Sequence, residues 1–186
     1  MEKTEAQFRK VVEVARSIFE LKAKAYGTAW VVLRMPSITD QLFIKAKRIR
    51  TLEETGINLV GESIEQEWIG ILNYCVIAQI LLDYYIKAQP LNWHPQAIPL
   101  EDLMSLYDKK IELAWQVVLQ KNHDYGEAWR EMRITSFTDL VLMKILRLKQ
   151  LEDNRAPYNS EYVSIYIDII NYSTFALIQI QASNNN

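Results

Sequence analysis

Apolar residues recur along the first stretch of the chain at helical spacing: Phe8, Val11, Val12, Ala15, Ile18, Phe19 and Ala23 fall on one stripe. Strand-like alternation is absent. The pattern predicts a helix over about Glu5–Ala25, ended at Tyr26-Gly27 by a left-handed cap that a side chain resists. The five Gly and five Pro act as punctuation and place turns near 27, 36, 56–61, 90–99, 126 and 157. Between them lie five further helices. One opens with Ser37 or Thr39 as N-cap, carries Asp40 in its first turn and runs to about Glu54. The longest spans Glu62–Ala88, where an apolar run from Ile69 to Ile86 is broken by Asn73, Gln79 and Asp83, which marks a buried helix rather than a membrane span. Gln89–Pro99, with three prolines, reads as an extended linker. Leu100–His123, Phe137–Asp153 and Asn159–Gln181 then replay the same plan.

The replay is literal. Lys22-Ala23-Lys24-Ala25-Tyr26-Gly27-Thr28-Ala29-Trp30 returns in edited form as Lys121-Asn122-His123-Asp124-Tyr125-Gly126-Glu127-Ala128-Trp129. From Lys22/Lys121 to Glu53/Glu152 the offset stays at 99 without a gap, and thirteen of the paired residues are identical. Unrelated segments share about two at ordinary residue frequencies. Among the thirteen are Tyr26/Tyr125, Gly27/Gly126, Trp30/Trp129, Thr39/Thr138, Lys45/Lys144 and Arg48/Arg147; an offset of 98 then pairs Asn73-Tyr74 with Asn171-Tyr172. The chain is therefore read as a tandem duplication: a three-helix repeat over 1–88, a linker over 89–99, a second repeat over 100–182 and a disordered tail over 183–186. Such a long repeat suits two equivalent halves packed face to face, an all-α bundle about a pseudo-two-fold axis. A homodimer is also left open.

Composition narrows the functional classes. The chain has 186 residues, 49% of them hydrophobic, enough for one shared core, and its net charge of −2 provides no field for strong nucleic-acid binding. A nucleotide or another phosphorylated small molecule stays in reach, since one pocket can be basic on an acidic surface. The single cysteine, Cys75, lies in an apolar run and reads as a buried reduced thiol, and the charged start Met1-Glu2-Lys3-Thr4-Glu5 is unlike a secretory signal. A cytoplasmic protein with no membrane association is expected.

Candidate chemistry clusters in the second repeat. Lys144 and Arg147, like Lys45 and Arg48 before them, stand three apart and share one helix face, where they meet either carboxylates of a neighbouring helix or phosphates of a ligand. Asp168 and Asn171 share a face of the last helix; the first repeat keeps Asn73 but has Gly70 at the Asp168 position. That asymmetry points to the second repeat, with Asp168, Lys144 and Arg147 as the expected catalytic group. The turn His123-Asp124-Tyr125 offers hydrogen bonds and stacking for a nucleotide, while Trp30 and Trp129, kept in both copies, read first as buried indoles anchoring the turn and only second as stacking surfaces for a base. Glu62 and Glu65 read either as a dipole-favoured acidic helix start or, with Asp168, as ligands for Mg²⁺. No Gly-rich phosphate loop, nucleophile elbow, His-Glu-x-x-His or Cys-x-x-Cys occurs.

The Lys-x-His-Asp-Tyr-Gly-x-Ala-Trp turn, the Ser-x-Thr-Asp that follows it, Lys-x-x-Arg and the late Asp-x-x-Asn-Tyr together resemble a bacterial family, nucleotide modification associated domain type 1, across most of both repeats. Its helical plan is in turn similar to that of the all-α nucleoside triphosphate pyrophosphatases of the MazG-like and dimeric dUTPase-like kinds. That resemblance implies four helices from two halves around Mg²⁺ and a nucleotide, and a metal-dependent hydrolase with a degenerate first site. It also implies Glu-x-x-Glu and Glu-x-x-Asp pairs, whereas the helices here carry Lys-x-x-Arg and only Asp168 matches an acidic ligand position. The alternative is a non-catalytic helical interaction module in which these polar residues pair with one another.

Overall fold

In the computed structural model, which describes residues 2–184, six α-helices follow one another with no strand among the described residues. They are α1 (Glu2–Tyr26), α2 (Met35–Thr55), α3 (Ile64–Ile86), α4 (Leu100–Tyr125), α5 (Ile134–Asp153) and α6 (Ser160–Asn184), with single 3-10 turns at Ala29–Val32 and Ala128–Glu131. α3 and α6 lie against each other at the centre. α2 packs on α3 and on α5, α5 packs on α6, and α1 and α4 each touch both central helices as well as one another. Each of these helix–helix contacts has a counterpart when α1, α2 and α3 are exchanged for α4, α5 and α6, the reciprocity of an isologous pairing about a two-fold axis.

α3 and α6 are each long and apolar enough to cross a membrane, yet 67% and 72% of those windows are buried within the protein. They are covered by α2, α5, α1 and α4, whose apolar stripes are one-sided. Cys75 is fully buried between them, and burial pushes its thiol pKa well above the usual range.

Polar side chains repeat the symmetry. The Thr39 hydroxyl donates to Glu152 at 2.6 Å and that of Thr138 to Glu53 at 2.8 Å, two copies of one bond across the α2–α5 contact. Around them Lys149 meets Asp40 at 2.8 Å and Arg50 meets Asp139 at 3.7 Å. The Asn73 amide donates to the Ala15 carbonyl at 3.0 Å, and Asn171 to Ala114 at 3.1 Å. Elsewhere the chemistry differs while the position persists: Arg16 forms an ion pair with Asp108 at 2.7 Å, and the related positions hold Trp115 with the Arg9 guanidinium over its ring.

Three expectations change. Neither Ser37 nor Thr39 caps α2: the helix begins at Met35 with Pro36 in its first turn and no side-chain cap at Arg34. Proline's fixed φ sets the entry angle there, leaving Thr39 free to bond across the interface. α3 starts later than expected, with Ser63 and Gln66 forming a reciprocal capping box. Ser183 and Asn184 continue α6 rather than opening a tail, while Asn185 and Asn186 lie outside the described residues.

Both repeat turns do end on a left-handed glycine, Gly27 at φ 60° and Gly126 at φ 59°. Their surroundings differ. The linker crosses the first turn, so that the Pro95 carbonyl accepts the Thr28 N–H and stands 1.9 Å from where a Cβ on Gly27 would lie, while nothing lies within 4 Å at Gly126. Gly126→Ala should cost about 1 kcal/mol of stability from backbone conformation alone. Gly27→Ala adds a backbone collision and should cost more. Thermal melts of the two variants decide this, and equal losses would count against the linker contact.

Glu53 and Glu152 have pKa values raised above the ordinary 4.5, chiefly by desolvation and against the pull of their threonine hydrogen bonds. Because the folded state favours their protonated forms, their contribution to stability is complete below that value and is lost as pH rises through the raised ones. Replacing both by Gln should therefore flatten the decline in Tm as pH rises above about 4.5. A decline as steep as in the parent would remove these carboxyls as its source.

Candidate functional site

Both repeats place a Lys-x-x-Arg pair on the helix that flanks a central one, but different carboxylates answer it. In the second half Lys144 Nζ lies 2.7 Å from one oxygen of Asp168, and Lys121 Nζ, reaching from α4, lies 2.7 Å from the other. Arg147 turns away to Glu161 at 2.7 Å. In the first half Lys45 and Arg48 share Glu67, which is 3% exposed: Lys45 sits 3.1 Å from one oxygen and the Arg48 guanidinium bonds the other. Arg48 also donates to the Glu62 carbonyl at 3.0 Å and to Asn58 at 3.1 Å. Under the 98-residue offset Glu67 corresponds to Ile165 and Gly70 to Asp168, so the carboxylate sits one helical turn later in the second half while the cations stay in place.

That relocation leaves space. A cavity of about 530 Å³ opens in the first half between α1, the turn after it, α2 and α3, with Lys22, Trp30, Lys45, Glu67, Gly70 and Tyr74 on its walls. Three pairs of related positions distinguish this side from the other. Ala23, Gly70 and Ile77 line it, and the second half has the larger Asn122, Asp168 and Phe175 at those places. Phe175 fills its share by stacking on Trp129, with centroids 4.3 Å apart and planes within 6°. Among the described residues no ring stacks on Trp30. The chain of cations differs too: Lys121 is taken by Asp168, whereas its counterpart Lys22 lines the cavity without a carboxylate partner among the described residues.

The family model of nucleotide modification associated domain 1 matches residues 22–82 and again residues 121–180. The chain belongs to this family. The two matches start at Lys22 and Lys121, the related lysines of the two halves, and confirm the tandem duplication. The family is associated with nucleotide modification. No curated protein and no solved structure matches the chain.

In this nucleotide modification associated domain the residues singled out from sequence are dispersed. The cavity lies on the first repeat, not on the second where the richer polar set pointed. Asp168, Lys144 and Lys121 form a closed ion-pair group, with Arg147 outside it. His123 and Asp124 form an exposed pair at 3.0 Å, and Tyr125 is likewise exposed. Trp129 is buried beneath Phe175. Asn171 and Asn73 tie the central helices to α4 and α1; Asn73 also accepts from the Tyr107 hydroxyl at 2.9 Å, which Phe8 cannot supply to Asn171. Lys45, Asn73 and Glu62 do reach the cavity wall, with Arg48 behind Glu67. Glu65 instead accepts from Asn184 at 3.4 Å.

These positions do not suit a protein-held Mg²⁺. No group of three or more His, Cys, Asp or Glu converges among the described residues, and both oxygens of Asp168 carry an ammonium where a cation would need free lone pairs.

Lys22 and Tyr74 carry no expectation from sequence as site residues, Trp30 reads first as an anchoring indole, and Gly70 reads as a loss. The alignment of the repeats held the signal, since small residues in one copy opposite large ones in the other indicate where a duplicated core has opened.

Both carboxylates are buried, but the cations around Asp168 are the more exposed, so the two should differ in cost. Glu67→Gln strips the counter-charge from two partly buried cations and should cost about 2–3 kcal/mol, less than the ~3–5 kcal/mol of a fully buried pair. Asp168→Asn, beside a half-exposed Lys121, should cost about 1–2 kcal/mol. Urea unfolding at neutral pH measures both, and the reverse order would contradict the burial argument.

Proposed function

We propose that the first-half cavity binds a nucleotide. The observation carrying this reading is Lys22, a cation without a carboxylate partner among the described residues, on the wall of a cavity that also presents Trp30 and Tyr74. Aromatic faces accept any base, and stacking contributes about 1–3 kcal/mol per base. Lys22 and Lys45 supply charge for the phosphate end. Gln41 and Gln66, on α2 and α3, add carboxamides that can donate to and accept from a base edge. The volume lies in the ordinary range for small-molecule sites, about 300–1,000 Å³.

The reading is one of binding rather than hydrolysis, because the nearby acids are already engaged by cations: Glu67 with Lys45 and Arg48, and Glu62 at 3.7 Å from Arg48. A general base needs a free lone pair within reach of its proton. Mg²⁺ belongs, in this reading, to the nucleotide's phosphates and not to the protein. The second half acts as the closed, supporting copy, which is how the interaction-module alternative enters for that half alone.

Purified protein screened against a panel of nucleotides by thermal shift should give a rise in Tm with at least one of them, and no pyrophosphate release above a heat-killed control. Trp30→Ala should weaken that binding by about tenfold or more, as expected for loss of a stacked base. Trp129→Ala should lower Tm without the same loss of affinity. A flat response across the whole panel would leave the interaction module as the better account, and clear pyrophosphate release would make the protein an enzyme.

A further inference from the structure

We infer that the cavity holds one phosphate monoester between Lys22 and Lys45, at the place corresponding to the Asp168 carboxylate in the other half, so that its occupant is a nucleoside monophosphate rather than a triphosphate. This rests on the nucleotide reading of the cavity.

The two halves display the same pair of lysines around one point. In the second, Lys121 from α4 and Lys144 from α5 grip the two oxygens of Asp168, each at 2.7 Å. In the first, Lys22 from α1 and Lys45 from α2 are the related residues, and Gly70 stands where Asp168 does. The Lys45 ammonium already lies over that glycine, its Nζ 3.2 Å from the position a Cβ would take. Asp168 is thus an anion tethered to the chain between two lysines, whereas in the twin site Lys45 is held from one side by Glu67 and Lys22 has no carboxylate partner among the described residues. An anion arriving on a ligand completes the twin as the carboxylate completes the original.

Charge limits how many phosphates follow. Around the cavity stand Lys22, Lys45 and Arg48 against Glu62 and Glu67, three positive groups and two negative, a net of one positive charge. A phosphate monoester carries about −1.5 to −2 at neutral pH and already exceeds that excess. Each additional phosphate brings at least one more negative charge toward Glu62 and Glu67 with no lysine on the wall beyond Lys22 and Lys45 to meet it, and like charges at such range repel.

Calorimetry with the nucleoside, mono-, di- and triphosphate of one base, without added divalent cation, tests this on the full chain. The expected result is that the monophosphate binds about tenfold or more tightly than the nucleoside, the gain of a charge-assisted bond, and that further phosphates add no affinity. Gly70→Asp places a carboxylate between Lys22 and Lys45 as in the second half and should erase the monophosphate's advantage over the nucleoside. Lys22→Gln, at an exposed helical position that folding does not depend on, should erase most of it as well. Affinity climbing with each phosphate, or an advantage that survives both substitutions, overturns the single-phosphate site but leaves nucleotide binding standing. Absence of binding by every member of the series, nucleoside included, overturns both.

Discussion

The constraint on which this structure depends is that α3 and α6 are apolar around most of their circumference. A helix of that kind cannot stay in water, and one covering helix on one side does not suffice. Each central helix therefore takes the other as one neighbour, the second helix of its own repeat as another, and both outer helices α1 and α4 to close the remainder. Full burial of a large aliphatic or aromatic side chain contributes about 1.5–3 kcal/mol, and the side chains on this central pair are numerous. The consequence is that neither repeat can satisfy its own third helix. The two halves form one core.

Around that core, duplication gives each polar position a counterpart, and the contacts made there have diverged to different extents. The bonds between α2 and α5 are kept nearly unchanged, as with Thr39–Glu152 and Thr138–Glu53, because a change in either residue disturbs an interface made of the same two helices twice over. Contacts that α4 makes with α1 and α3 differ from their counterparts. An ion pair at Arg16–Asp108 corresponds to a cation over an indole at Arg9–Trp115, and a Tyr107 hydroxyl bond to Asn73 corresponds to nothing at Phe8. The carboxylate that answers the basic pair has moved by one turn between Glu67 and Asp168.

That single movement separates a filled half from an open one. With the carboxylate at 168, Lys121 and Lys144 close on it and Phe175 covers Trp129. With the carboxylate at 67, Lys45 and Arg48 are drawn to the buried start of α3, Gly70 leaves a gap and Lys22 has no counter-charge among the described residues. One set of cations holds a core together in one copy and lines an aromatic-walled cavity in the other. A fold that is stabilised twice can release one of its copies from that duty.

Much of this was legible in the chain itself. Helical periodicity, the punctuating glycines and prolines, and the constant offset between repeats determine six helices in two related triplets, because local backbone preferences and apolar spacing act over a few residues and leave their mark in order. The left-handed caps at Gly27 and Gly126 and the burial of Cys75 belong to the same class. Which polar residues meet was decided only by tertiary packing. Lys121 and Asp168 are distant in sequence, and nothing in their spacing distinguishes a carboxylate closed between two ammonium groups from one open to a ligand. The cavity was the hardest to foresee for the same physical reason: it is formed by what Ala23, Gly70 and Ile77 lack relative to Asn122, Asp168 and Phe175, and an absence of volume acquires meaning only once the surrounding helices fix where that volume would have been.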